Sequence, residues 1–406
     1  MKQRAAQGLA SAAPVLRQAA TLALGAAVSL GLARFAYALL LPSMRADLGW
    51  SYLGAGTMNT VNALGYLIGA MLVPRLLRQV SPRGLLLAGS AATTALLAGH
   101  ALVLADAALL LLRLLAGVAS AFGFVCGGLL AAQLGSAPAG TPPGPRPSAA
   151  LVLGLYYGGT GLGIIVSAAV VPPLTDLARP HAWQLAWGSL AAVALLATGL
   201  MAAGTRTLPA PPLAVGGAAG RFALRPFAFA LGGYLMFGLG YIGYMTFNIT
   251  LLREQGMARD GVVLFYMVLG AGVVASSWLW AGLLQRHRGG VPMAVLNALL
   301  AVATALPVLS GSALAAYVSA ALFGSVFLSV VASTTALVRH NAEPAAWPAG
   351  IAAFTIVFAL GQIVGPTLVG WVSDGPGGLN AGFACSAATL ALGALLAWRQ
   401  QPLPER

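Results

Sequence analysis

Long apolar runs, separated by short polar or Pro/Gly-rich breaks, dominate the chain. About twelve of them recur, at roughly 18–42, 52–76, 84–105, 107–134, 149–173, 182–203, 226–252, 260–285, 291–310, 312–338, 346–372 and 379–398. At 1.5 Å per residue, a helix of about 20 residues covers the ~30 Å hydrocarbon core of a bilayer. The pattern therefore predicts an all-α membrane protein with twelve transmembrane helices. Two breaks stand out. Residues 136–148 (SAPAGTPPGPRPS) are too rich in proline and glycine to stay helical. Residues 204–224 are polar and Pro/Gly-rich. They divide the chain into an N-terminal six-helix half (1–203), a cytoplasmic linker (204–225) and a C-terminal six-helix half (226–406).

Composition agrees with the pattern. The chain of 406 residues is 59% hydrophobic and only 7% charged, against about 25% charged for soluble domains. Its 52 glycines suit close helix packing in lipid. Lys2 is the only lysine, as in chains from GC-rich bacterial genomes. The net charge of +13 is no sign of nucleic-acid binding. Fifteen of the 21 basic residues, among them Arg17, Arg75, Arg83, Arg146, Arg221 and Arg339, fall on one side of the membrane, and only Arg45, Arg179, Arg253 and Arg259 fall on the other. The positive-inside rule then puts both termini in the cytoplasm of a multi-pass protein of the bacterial inner membrane. The basic start, MKQRAAQGLASAAPVLRQ, reads as a retained cytoplasmic end rather than a signal peptide. Cys126 and Cys385 sit in separate apolar runs and read as inert core residues.

The acids are more telling. Asp47, Asp106, Asp176, Glu254, Asp260 and Asp374 fall at outer ends, and Glu343 and Glu405 fall inside. No carboxylate is left within a span, whereas Arg34 and Arg113 are. A guanidinium at the centre of a membrane helix costs about 2.5–3.5 kcal/mol on insertion scales. It cannot shed its proton to escape that cost. Both arginines sit roughly 10 Å below the outer boundary at 1.5 Å per residue. As a pair they suggest an anion clamp, because a guanidinium matches a carboxylate or phosphate with two donors. Snorkelling, or bonding to helix carbonyls, is the open alternative for each.

Other polar positions are weaker signals. Tyr37 lies one turn from Arg34. The seventh span carries Tyr234, Phe237, Tyr241, Tyr244 and Asn248 at steps of three and four, so one aromatic and polar stripe lies on one face. The second span carries Asn59, Asn62 and Tyr66, and the eleventh Thr355, Phe358 and Gln362. The fifth offers Tyr156, Thr160 and Ser167. Most such side chains bond helices to one another. The substrate-binding candidates are Arg34, Tyr37, Asn62, Arg113, Tyr241, Tyr244 and Gln362. His100, His181, His287 and His340 fall near span ends and read as interfacial. No catalytic set, metal spacing or phosphate-cradling loop appears, which points away from an enzyme, a cofactor or ATP-driven pumping.

An internal match supports related halves. Gly31-Leu-Ala-Arg-Phe-Ala-Tyr37 opens the first, and Gly238-Leu-Gly-Tyr-Ile-Gly-Tyr244 opens the second, with Tyr241 at the place of Arg34. The chain resembles the major facilitator superfamily, and within it the YbfB/YjiJ-type transporters. The resemblance is carried by GLARFAYALLLPSM (31–44), GYLIGAM (65–71), GLYYGGTGLGIIVS (154–167), YLMFGLGYIGYMTFNITLLREQG (234–256) and GQIVGPTLVGWVSD (361–374). It implies the major facilitator fold, with two pseudo-symmetric six-helix halves around a cavity lined mainly by helices 1, 4, 7 and 10. Arg113 and Gly117 match the superfamily's Arg-x-x-x-Gly pattern. The loop VPRLLRQVSPRG (73–84) departs from it, with Arg78 where an Asp is expected.

The expectation is a secondary transporter of a small organic anion or acid-bearing amphipathic molecule, working by alternating access. Its partners are a small-molecule substrate and the lipid bilayer. Protons are a candidate coupling ion, and a monomer is expected. A multidrug or cation exporter and a non-transporting membrane sensor are the alternatives. The first would want an acid in the cavity and the second a soluble signalling domain.

Overall fold

The computed structural model describes residues 2–135, 147–208 and 222–403, with side chains from residue 13 onward. The linker residues 209–221, the Pro-rich 136–146 and the last three residues, with Arg146, Arg221, Glu405 and Arg406, lie outside the described residues.

The described chain is helical throughout. A rod opens it, made of α1 (Lys2–Ala26), a π-helical segment (Ala27–Phe35) and α2 (Tyr37–Leu48). Then follow α3 (Tyr52–Leu76), α4 (Pro82–His100), α5 (Asp106–Gly135), α6 (Ala149–Thr175) and α7 (Ala182–Gly204). The C-terminal series is α8 (Ala228–Glu254), α9 (Arg259–Leu279), α10 (Ala281–Arg286), α11 (Val291–Leu309), α12 (Ala313–Asn341), α13 (Trp347–Ser373) and α14 (Gly378–Trp398). The helices start where the sequence supplies a cap. Ser51, Ser81, Ser148 and Ser312 each accept from a backbone N–H three residues on, satisfying donors that a helix leaves free at its start.

Among the described residues, ten helical spans are long and apolar enough to cross a membrane, with α9 and α10 counted as one. The two other long helices, α3 and α4, are less apolar. Asn59 and Asn62 lower the one, and Pro82-Arg83-Gly84 with His100 lower the other. The first rod runs to Leu48, six residues beyond the expected end at 42, because Pro42 is accommodated inside the helix.

Small residues decide how the helices meet. A Cβ on Gly65 would lie 2.0 Å from Leu114 O, and one on Gly117 would lie 2.1 Å from Asn62 O. That contact presses α3 against α5 and brings Asn62 and Arg113 to one crossing. In the N-terminal series α4 also packs on α5 and α7, and the first rod lies on α6. In the C-terminal series α8 packs on α13 and α14, α9 on α12, and α11 on α12 and α14. The two series meet where α6 crosses α9, α3 crosses α13 and α2 crosses α8.

Six of the seven acids among the described residues gather at one end of this bundle, and Glu343, ahead of α13, lies at the other. Asp47, Asp106, Glu254 and Asp260 lie within the last or first turn of their helices, and Asp176 and Asp374 follow α6 and α13 directly. Several of them join the two series there. Asp374 accepts from Tyr52 N (2.8 Å) and Leu53 N (2.9 Å) at the start of α3. Arg253 holds both oxygens of Asp176 at 2.9 Å. Arg45 lies 3.7 Å from Glu254, which also accepts from Tyr52 Oη.

Candidate functional site

The π-helical segment is the local feature from which the site is built. Its hydrogen bonds close five residues back, as in Ala36 N to Gly31 O at 3.0 Å, a register often found at functional positions. The return to α-helix disturbs the backbone. Leu39 N bonds Ala36 O rather than Phe35 O. Phe35 O instead accepts from Tyr266 Oη of α9 at 2.5 Å, and Ala33 O accepts from Arg113 Nη1 at 2.9 Å. Gly31 lets the segment lie against α6, since a Cβ there would meet Gly163 Cα at 2.6 Å.

Arg34 sits at the end of this segment, buried among the helices. Its Nη2 donates to Gln362 Oε1 of α13, so a bond from the first rod reaches the C-terminal series. Its Cζ lies 5.7 Å from the centre of the Tyr66 ring. Its Nε is buried with no hydrogen-bond partner among the described residues. Among the described residues, the one acceptor holding this cation is thus a neutral amide, and the acids sit at helix ends.

Arg113 is placed differently. Besides Ala33 O, it donates from Nη2 to Asn59 Oδ1 at 3.0 Å and from Nε to Met58 O at 3.4 Å. Its Cζ lies 4.6 Å from the Tyr37 ring centre. Asn59 donates onward to Thr246 Oγ1 of α8 at 2.7 Å. Arg113 is near enough to Arg34 for the two charges to repel, but protein acceptors engage all three of its nitrogens. Of the two arginines, only Arg34 has a buried nitrogen with no hydrogen-bond partner among the described residues. Tyr37 donates to Ala55 O at 2.9 Å, and Asn62 donates to Arg113 O at 2.9 Å. Both side chains thus support the Arg113 network.

The seventh-span stripe divides. Tyr241 stacks on Phe237 at 4.8 Å and on Phe358 at 5.5 Å, within electrostatic reach of Arg34. Tyr234 stacks on Phe358 at 5.0 Å. Tyr244 instead stacks on Phe323 of α12 at 3.9 Å and shares a 2.7 Å hydrogen bond with Ser319. It belongs to the packing of α8 on α12, away from Arg34.

The structure thus brings Arg34, Gln362 and Tyr241 together, adds Tyr66, and leaves Tyr37, Asn62 and Arg113 as a second layer behind them. Three further aromatic side chains belong to the same neighbourhood. Phe358 is partly exposed, Tyr157 is exposed, and Phe124 lies between Tyr66 (6.5 Å) and Tyr157 (5.8 Å). Spacing alone could have found Tyr66, one turn from Asn62, and Phe358, one turn from Gln362. It favours Tyr156 over Tyr157, yet Tyr156 is fully buried with its hydroxyl on Phe124 O at 2.5 Å.

A separate cleft of about 520 Å3 opens at the acidic end, with Ser43, Asp47, Arg179, His181 and Arg253 on its walls. None of the groups around Arg34 lines it, and His181 there bonds Asp47 at 2.6 Å.

A family model described as "Uncharacterised MFS-type transporter YbfB" matches residues 26–398. No curated protein matches the sequence. Solved structures do match in fold. A bacterial homologue of the human lysosomal transporter Spinster, inward-facing and unoccupied, is 16% identical with a TM-score of 0.68, over 94% of this chain and 95% of that one. The nucleoside transporter NupG is 14% identical with a TM-score of 0.65, over 94% and 97%. The human organic anion transporter MFSD10 (TETRAN) is 15% identical with a TM-score of 0.62, over 95% and 99%.

Proposed function

Because the chain belongs to the major facilitator superfamily, in its YbfB-type family of membrane transporters, we propose that it carries a small organic anion or acid-bearing amphipathic molecule across the bacterial inner membrane. It is a transporter rather than an enzyme. In this reading all twelve long helical spans cross the bilayer, in two halves, 1–203 and 226–406, joined by 204–225. The basic end and both termini face the cytoplasm. The halves rock about the site to expose it to either side in turn. The contacts of Asp374, Arg253 and Glu254 hold the acidic end shut, so the site opens toward the cytoplasm.

The observation that carries the reading is Arg34: a buried cation at a π-segment, held by a neutral amide, with an unused donor at Nε. Burying a charge is costly unless it is paired, and a substrate carboxylate would pair it. A charged acceptor makes a bond roughly twice as strong as a neutral one, so the substrate displaces Gln362 and disconnects one tie between the halves. Arg113 holds the π-segment in place through Ala33 O and positions Arg34. The name of MFSD10, an organic anion transporter of the same fold, agrees with this reading. Proton coupling would use the substrate's own acid group, since among the described residues the carboxylates lie at helix ends.

A thermal-shift screen of the purified protein against small organic acids, their neutral amides and organic cations tests the proposal. Acids should raise Tm and the matching amides should not. Stabilisation by cations and not by acids would reverse the assignment in favour of a cation exporter.

A further inference from the structure

The aromatic side chains around Arg34 narrow the class of anion. On the N-terminal side stand Tyr66, Phe124 and Tyr157, from α3, α5 and α6. On the C-terminal side stands Phe358 of α13. Behind Phe358 lie Phe237 (5.3 Å, planes 10° apart), Tyr234 (5.0 Å, 22°) and Tyr241 (5.5 Å, 21°). These three are buried, whereas Phe358 is partly exposed. Phe358 is therefore the ring through which a rigid, nearly parallel stack meets the space. Tyr66, from the other series, lies by the Arg34 guanidinium, whose Cζ is 5.7 Å from its ring centre, and Phe358 lies one turn from Gln362, which accepts from Arg34 Nη2. Aromatic rings favour another ring in offset or edge-to-face contact. The donors are equally restrictive. Arg113 already donates to protein acceptors through all three of its nitrogens, and Arg34 keeps a buried nitrogen with no partner among the described residues. One guanidinium matches one carboxylate with two donors.

From this geometry we propose that the ligand of the Arg34 site is an aromatic monocarboxylate, its carboxylate on Arg34 in place of Gln362 and its ring between Tyr66 and Phe358. This rests on the anion-binding reading of Arg34 given above. Tyr157, exposed on the N-terminal side, has a phenol hydroxyl to offer a substituted arene.

Isothermal titration of the purified full-length protein with benzoate, cyclohexanecarboxylate and benzamide tests it. Benzoate should bind at least tenfold more tightly than either of the others. Phe358→Leu should remove most of the preference for benzoate over cyclohexanecarboxylate. Should that variant fold poorly, the three ligands on the unaltered protein decide the matter. Equal binding of the two acids would overturn the aromatic assignment and leave the anion site standing. Benzamide binding as tightly as benzoate would overturn the anion site itself. No binding of any of the three at millimolar concentration would overturn the aromatic assignment.

Discussion

Replacing Gln362 by glutamate puts a carboxylate of nearly the same shape beside Arg34. The two side chains already touch through Nη2 and Oε1, and both are 5% exposed or less. Two unit charges 4 Å apart at an effective dielectric constant of 20 attract by about 4 kcal/mol. Burying the second charge offsets much of that gain, so the fold should be little altered in stability. An incoming anion, however, would have to displace a tethered carboxylate. If the full attraction must be broken, affinity falls by roughly three orders of magnitude, since about 1.4 kcal/mol corresponds to tenfold. Titration of Gln362→Glu with benzoate or cyclohexanecarboxylate, alongside its melting curve, reads both quantities. Gln362→Ala is the companion, and it should bind the same acid as tightly as the parent or more so because the competitor is gone. A folded Gln362→Glu protein that binds the acid within threefold of the parent would refute the idea that Gln362 occupies the substrate's place.

Arg113→Leu should lose stability on the order of 3 kcal/mol, since it leaves Asn59 Oδ1 and Ala33 O short of a buried donor, and a lowered Tm in detergent would show it. Gly161→Val should impair folding or transport, because a Cβ at Gly161 would sit 2.4 Å from Gly270 O where α6 crosses α9; Gly282→Ala, with open space around it, should be silent in the same uptake and melting assays. Asp374→Asn removes the negative charge from the N-terminus of α3, an interaction worth about 0.3–1 kcal/mol. It should open the acidic end more often, so that Leu39→Cys, placed at the cleft floor, reacts faster with a membrane-impermeant maleimide in the Asp374→Asn background. An unchanged labelling rate would show that Asp374 does not hold that end closed.

Arg34 was legible in the sequence because an arginine that cannot lose its charge interrupts an otherwise apolar run. The placement of the acids was legible for the same reason, since helix ends are where membrane proteins tolerate them. The π-segment was not legible. Its register depends on Arg113 and Tyr266 taking up carbonyls at Ala33 and Phe35, and those partners lie 80 and 231 residues away. Gln362 could be read only as a polar residue in a span, because its partner is fixed by how α13 meets the first rod. Arg113 looked equal to Arg34 in depth, and only the crossing of α3 and α5 shows its donors engaged by Met58 and Asn59. Tyr244 looked like a continuation of the Tyr241 stripe, but α12 brings Phe323 and Ser319 against it and draws it into the helix packing. Tyr157 was hidden beside Tyr156, since adjacent helical residues point about 100° apart and spacing cannot say which one faces the interior.

The central claim is that Arg34 serves an anion rather than the fold. It is tested most directly by measuring Tm and acid affinity together on Arg34→Ala, using whichever of benzoate and cyclohexanecarboxylate binds the parent protein more tightly. The mutation removes a buried charge whose insertion costs about 2.5–3.5 kcal/mol and loses a bond to a neutral amide. Tm should therefore hold or rise while affinity falls at least a hundredfold. A folded Arg34→Ala protein with lowered Tm and unchanged affinity would contradict the account.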